Sequence, residues 1–114
     1  MEKLRLSRIG NALMLHYVGE ITLEITADLK RCLDAELEGD AVATVVVDLG
    51  DVTFMDSSGI GFLVSANTRM RSAGRAFYLY RLSPPVEKTL GLVQLLQFFQ
   101  VLPDETALTA ACGD

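Results

Sequence analysis

The run VATVVVDL, from Val42 to Leu49, constrains this chain more than any other segment. It is β-branched and apolar without clean alternation, which suits a strand covered on both faces by helices. The flanking segments agree. Leu4 and Leu6, then Leu13, Leu15 and Tyr17, alternate with other residues around Gly10-Asn11, and two such runs read as a β-hairpin ending at Gly19-Glu20. From Thr22 to Glu38 the period lengthens: Ile25, Leu29, Cys32, Leu33 and Leu37 form one helical stripe, with Thr22 placed as N-cap and Gly39 as the stop. Beyond the central run, a helix over Ser58 to Ala73 carries Ile60, Leu63, Val64, Asn67 and Met70 on one face, and Gly74 ends it. A strand over residues 75–82 follows, then a helix opened by Ser83-Pro84-Pro85 and interrupted at Gly91. A last strand is expected over residues 98–102 and a terminal helix from Pro103-Asp104. The order β-β-α-β-α-β-α-β-α predicts an α/β fold: a mixed sheet with an N-terminal β-hairpin, then alternating helices and parallel strands joined by right-handed crossovers.

The 114 residues make one domain, taken as residues 1–114. Half are apolar and 22% charged, a globular balance with no repeat, linker or low-complexity tract. Ten cations against fifteen anions give a net charge of −5, a field that repels nucleic-acid backbones and anionic lipid surfaces. Trp is absent and aromatics are only 7%, which also speaks against a base-stacking surface. Lys3, Arg5 and Arg8 precede an apolar stretch, but Asn11 and His16 break it and no small-x-small cleavage site follows. No run is long enough for a transmembrane helix. Cys32 and Cys112 lie far apart without metal-type spacing, so reduced thiols in a cytoplasmic domain are expected.

Catalytic patterns are sparse. A serine hydrolase would need a base near its nucleophile, and the single histidine, His16, sits in mid-strand. Around Ser58 a nucleophile elbow lacks its first glycine, since Asp56 stands there. Gly59-Ile60-Gly61 is not completed as a dinucleotide fingerprint. Asp48, Asp51 and Asp56 could hold a hard cation between a strand end and a helix start, but turn and capping roles are the simpler reading. Glu24, Asp28, Asp34 and Glu38 read as a solvated helix face. No metal and no cofactor are expected. What remains is FMDSSGIGFLV, residues 54–64, a strand-to-helix junction at the sheet edge where α/β proteins usually place their sites. Ser57 or Ser58 can cap that helix. Gly59 and Gly61 leave its first turn free of bulk, so another molecule's backbone or phosphate can approach Ser58.

These residues resemble the single-domain STAS family of bacterial anti-sigma factor antagonists. The resemblance spans nearly the whole chain: the hairpin ending in Gly19-Glu20, VATVVVDL, DVTFMDSSGIGFL, RAFYLY, SPPVEKTLGL and FFQVL. It implies a protein that is not an enzyme but a switched binding partner. The unphosphorylated form would bind an anti-sigma factor that is also an ATP-dependent serine kinase, and so release the sigma factor. The kinase would phosphorylate Ser58, with Ser57 as second choice, and a PP2C-type phosphatase would restore the active form. The implied partner surface comprises Thr22, Asp56, Ser57, Ser58, Gly59, Ile60, Gly61 and Phe62. Thr22 departs from the family, in which many members carry an aspartate at that place. The alternative implied by the same family is an accessory or scaffold subunit of a stressosome-like or lipid-transport complex.

Overall fold

A computed structural model describes residues 3–113. Its central sheet contains five strands in the order β1-β2-β4-β6-β7. Strands β1 (Leu4–Ile9) and β2 (Ala12–Tyr17) form the expected antiparallel hairpin, pairing Leu4 with Tyr17 and Ile9 with Ala12. Gly10, at φ 62°, makes the turn where a side chain would be strained. Strand β3 (Gly19–Ile21) leads into helix α1 (Leu23–Glu36), which returns the chain to β4 (Thr44–Leu49), parallel to β2. Strand β5 (Val52–Met55) precedes helix α2 (Ser57–Ser72), and β6 (Ala76–Leu82) then pairs parallel to β4. Helix α3 (Pro84–Leu92), strand β7 (Val101–Leu102) and helix α4 (Glu105–Cys112) complete the chain. Among the described residues, no helix is long and apolar enough to cross a membrane.

All six residues of β4 are buried, which is what an unbroken β-branched run between two covered faces requires. Val45, Val47 and Leu49 join the larger core with residues of α1, α2 and α3. Val46 points the other way and meets Ala12, Tyr80 and Cys112 in a smaller core beneath α4. Burial raises the Cys112 thiol above its ordinary pKa, and Cys112 and Cys32 are both free.

Three expectations are corrected. The sequence reading ends the second strand at Gly19-Glu20 and gives residues 54–64 only as a strand-to-helix junction, with no pairing between the two segments. Instead Gly19–Ile21 and Val52–Met55 pair as a separate parallel ribbon, β3 with β5. These segments are too short to announce themselves by period, and a register shift between Gly19 and Glu20 blurs them further. The last strand begins at Val101 rather than Phe98, because the Phe98 N–H turns back to the Leu95 carbonyl. Phe99 inserts into the core, with its ring edge-on to Phe98 at 5.0 Å between centroids. The inward face of α2 is Gly59, Leu63, Ala66, Asn67 and Met70, while Ile60 and Val64 flank it half-buried.

Candidate functional site

Strands β3 and β5 run side by side in the same direction, with Ile21 opposite Met55 and the Asp56 N–H donating to the Ile21 carbonyl at 3.2 Å. The ribbon therefore delivers two neighbouring strand ends into two helix starts, Thr22 into α1 and Asp56 into α2. Both positions hold the extended backbone of an N-cap. They differ in what their side chains do. Thr22 makes no capping bond, so its expected capping role is not taken up by the hydroxyl; Thr26, one turn later, donates its hydroxyl to the Leu23 carbonyl instead.

At α2 the cap is Asp56, not either serine. Its Oδ1 accepts from the N–H groups of Ser58 at 2.9 Å and Gly59 at 3.3 Å, and from the Ser58 hydroxyl at 2.5 Å. Aspartate two residues upstream can reach first-turn donors that the serines, already inside the helix, cannot. Ser58 is half-buried and oriented by this bond, whereas Ser57 is exposed. The Ser58 hydroxyl, followed by the N–H groups of Gly59 and Ser58, holds the Asp56 carboxyl below its ordinary value of 3.8, against some desolvation. A carboxyl with a depressed folded-state pKa stabilises the fold above its unfolded value, and that contribution disappears as pH falls through the folded value. The α2 start should therefore hold at neutral pH and loosen only below about pH 4. Asp56→Asn keeps a capping oxygen but removes the charge, so it should flatten the acid limb of melting temperature against pH. An acid limb of unchanged slope would exclude Asp56 as a contributor.

The two glycines do different work. A Cβ on Gly59 would lie 2.3 Å from Cγ of Met55 and 3.0 Å from Cγ2 of Ile21, so this glycine lets α2 sit directly on the ribbon. Its expected place on the partner surface is corrected accordingly: it is buried and faces inward. Gly61 has open space where a Cβ would stand. Gly59→Ala should then destabilise the fold by ~1–3 kcal/mol through overpacking. Gly61→Ala should stabilise it by up to ~1 kcal/mol through helix propensity. Opposite shifts in urea midpoint would verify the pair, and shifts of the same sign would refute it.

From Ser58 a groove of about 700 Å³ runs between α1 and α2. Leu23, Ala27, Leu33, Phe62 and Ala66 give it apolar walls, and Lys30, Asp34 and Arg69 add charge. Asp34 pairs with Arg69 of α2 and, at 3.0 Å, with Lys30 of its own helix, which ties the helices across the groove. Those bonds, Arg69 first, hold the Asp34 carboxyl below its ordinary value. Of the expected partner residues, Ser58, Gly61 and Phe62 line this groove, Thr22 and Asp56 stand at the helix starts, Ser57 is exposed and Ile60 is half-buried. The first helix, expected to form one continuous surface with the Ser58 junction, supplies Leu23, Ala27 and Leu33 to the groove, none of them among the individually named partner residues. Leu23, an apolar residue off the helical stripe, is 70% exposed there.

The other candidate chemistry is accounted for within the fold. Asp48 receives two 3.0 Å bonds from Arg81, and Asp51 bridges Arg81 to the His16 Nε2 at 2.8 Å. The His16 bond is the main cause lowering the Asp51 pKa. His16 thus meets Asp51 and Ser58 meets Asp56, so the serine–histidine contact of a hydrolase is not formed.

Among the described residues, four helices cover a mostly parallel mixed sheet, a fold shared with several solved anti-sigma factor antagonists. SpoIIAA in its unphosphorylated form superposes with a TM-score of 0.80 at 19% identity, covering 94% of each chain. The Bacillus cell fate determinant SpoIIAA in its phosphorylated form gives 0.74 at 18% identity, over 94% of this chain and 97% of that one. An anti-sigma factor antagonist from Mycobacterium paratuberculosis gives 0.82 at 22% identity, over 96% of this chain and 93% of that one. Residues 3–109 match the STAS domain, and the chain belongs to that family.

Proposed function

We propose that this protein is a cytoplasmic anti-sigma factor antagonist switched by phosphorylation of Ser58. In this reading the unphosphorylated form binds an anti-sigma factor with ATP-dependent serine kinase activity, and a PP2C-type phosphatase resets the modified form. The observation that carries it is the Ser58 hydroxyl itself, half-buried at the mouth of the inter-helix groove and aimed by Asp56 at 2.5 Å. SpoIIAA, which shares the fold, exists in unphosphorylated and phosphorylated forms. Transfer of the ATP γ-phosphoryl group to Oγ releases ADP and the hydroxyl proton, and so removes one of the three donors from which Asp56 accepts. It also places about −1.5 to −2 charges beside an existing carboxylate. The helix N-terminus favours the new charge by ~0.3–1 kcal/mol, so the domain itself stays folded. The change is felt by whatever covers the groove.

Incubation with an anti-sigma factor kinase and Mg·ATP, followed by peptide mass spectrometry, should locate phosphate on Ser58 and should still do so in Ser57→Ala. Phosphate on Ser57 would overturn the assignment. Thr22, at the neighbouring helix start, belongs to the same surface in this reading. Thr22→Arg should weaken kinase binding at least tenfold, measured by calorimetry. The melting temperature should barely move, because a cation at a helix N-terminus costs only ~0.3–1 kcal/mol. Unchanged affinity would remove Thr22 from the interface.

A further inference from the structure

The two edges of the central sheet are unequal. One is β7, only two residues long; the other is β1, six residues long with five of them exposed. The Val18 N–H donates to the Lys3 carbonyl at 3.0 Å, so Lys3 and Val18 form a hydrogen-bonded pair at the head of the antiparallel ladder. Hydrogen bonding then alternates along β1. The N–H and C=O groups of Leu4, Leu6 and Arg8 face away from β2, a row of donors and acceptors left open by the described residues.

The side chains along this edge are unlike the rest of the chain. Residues 3–9 carry three cations and no acid, within a protein of net charge −5. Arg5 has no ion-pair partner among the described residues, and Arg8, 43% exposed at its side chain, reaches only Glu36 at 2.9 Å. Arg5 lies opposite His16 and Arg8 opposite Leu13, so the two guanidinium groups flank opposite faces of the strand. Leu6 and Ile9, 40% and 48% exposed, likewise offer an apolar contact on each face. We propose that the β1 edge receives an acidic, extended segment of a partner protein, which joins the sheet as a further strand. Main-chain bonds to Leu4, Leu6 and Arg8 would supply affinity, and Arg5 and Arg8 would select acidic side chains. A second copy of this chain is disfavoured at the same edge, because it would set cations against cations. This surface is separate from the β3–β5 ribbon, so the proposal does not depend on Ser58.

The test uses a blocked Val-Asp-Val-Val-Asp-Val hexapeptide, whose aspartates fall on opposite faces when extended, titrated into the isotope-labelled full chain and followed by amide NMR. Shifts should be confined to β1 and its neighbour β2, and should weaken as salt is added. Leu6→Pro removes an N–H that the β1–β2 ladder does not use, which an edge strand tolerates, and should reduce affinity at least tenfold. The double substitution Arg5→Glu/Arg8→Glu should do the same without touching the backbone, and it decides the matter if Leu6→Pro fails to fold. Absence of binding, shifts centred elsewhere, or equal binding of a lysine–valine peptide would overturn the proposal. So would a concentration-dependent dimer broken by the same variants, which would make the edge a self-association site.

Discussion

Ser58→Asp is expected to weaken binding to the anti-sigma factor by roughly a hundredfold to a thousandfold, with the fold intact. The half-buried hydroxyl now donates to Asp56 at the rim of an apolar groove. A carboxylate in its place cannot donate, repels Asp56, and must shed water when a partner closes over it. Effective desolvation of a buried ion costs several kcal/mol. Even ~3–4 kcal/mol corresponds to that loss of affinity. Ser58→Ala should bind constitutively, since removing the hydroxyl adds no charge, and should accept no phosphate. Calorimetry with the purified kinase measures both, and circular dichroism checks that the free variants are folded. Ser58→Asp binding as tightly as the unsubstituted protein would sink the switch.

Leu63→Ala should cost ~2–5 kcal/mol, the range for deleting a buried leucine. Leu63 is 1% exposed on the inward face of α2 and belongs to the larger core. A small domain has only ~5–15 kcal/mol in hand, so urea unfolding should show a much lower midpoint with little change in slope. Val64→Ala, half-buried on the flank of that face, should cost visibly less. A loss at Leu63 below ~1 kcal/mol would mean the helix packs by another face.

Where local chemistry and tertiary packing agree, the sequence was legible. VATVVVDL reads as a doubly covered strand because its neighbours bury both faces, and Ser83-Pro84 reads as a helix start because Ser83 Oγ does accept from the Val86 N–H. The β3–β5 ribbon was not legible, since its pairing joins residues about thirty positions apart and leaves no periodic trace. Nor was the cap at α2. Asp56, Ser57 and Ser58 are all good N-cap residues, and only the backbone path decides which side chain reaches the free N–H groups. The glycines show the same limit: two positions alike in sequence, Gly59 and Gly61, face opposite ways once the helix is laid on the ribbon. Of the motif's residues, Ser58, Gly61 and Phe62 line the groove. That the first helix shares this surface was expected, but which of its residues face the groove needed the fold, because Leu23 and Phe62 are brought to it by helix packing rather than by spacing.

The short ribbon also has a consequence for how such a protein can diverge. Thr22, Ser57, Gly61 and Phe62 hang from its two ends and from the outer turns that follow, outside the register that holds β2, β4 and β6 together. Ser57 and Gly61 are exposed and Thr22 and Phe62 half-buried, with only Phe62 leaning on the core, so exchanging them disturbs little of the interior. If these positions carry the proposed partner contact, recognition can drift through them while the frame stays put, and one scaffold can be retuned for successive partners without being refolded.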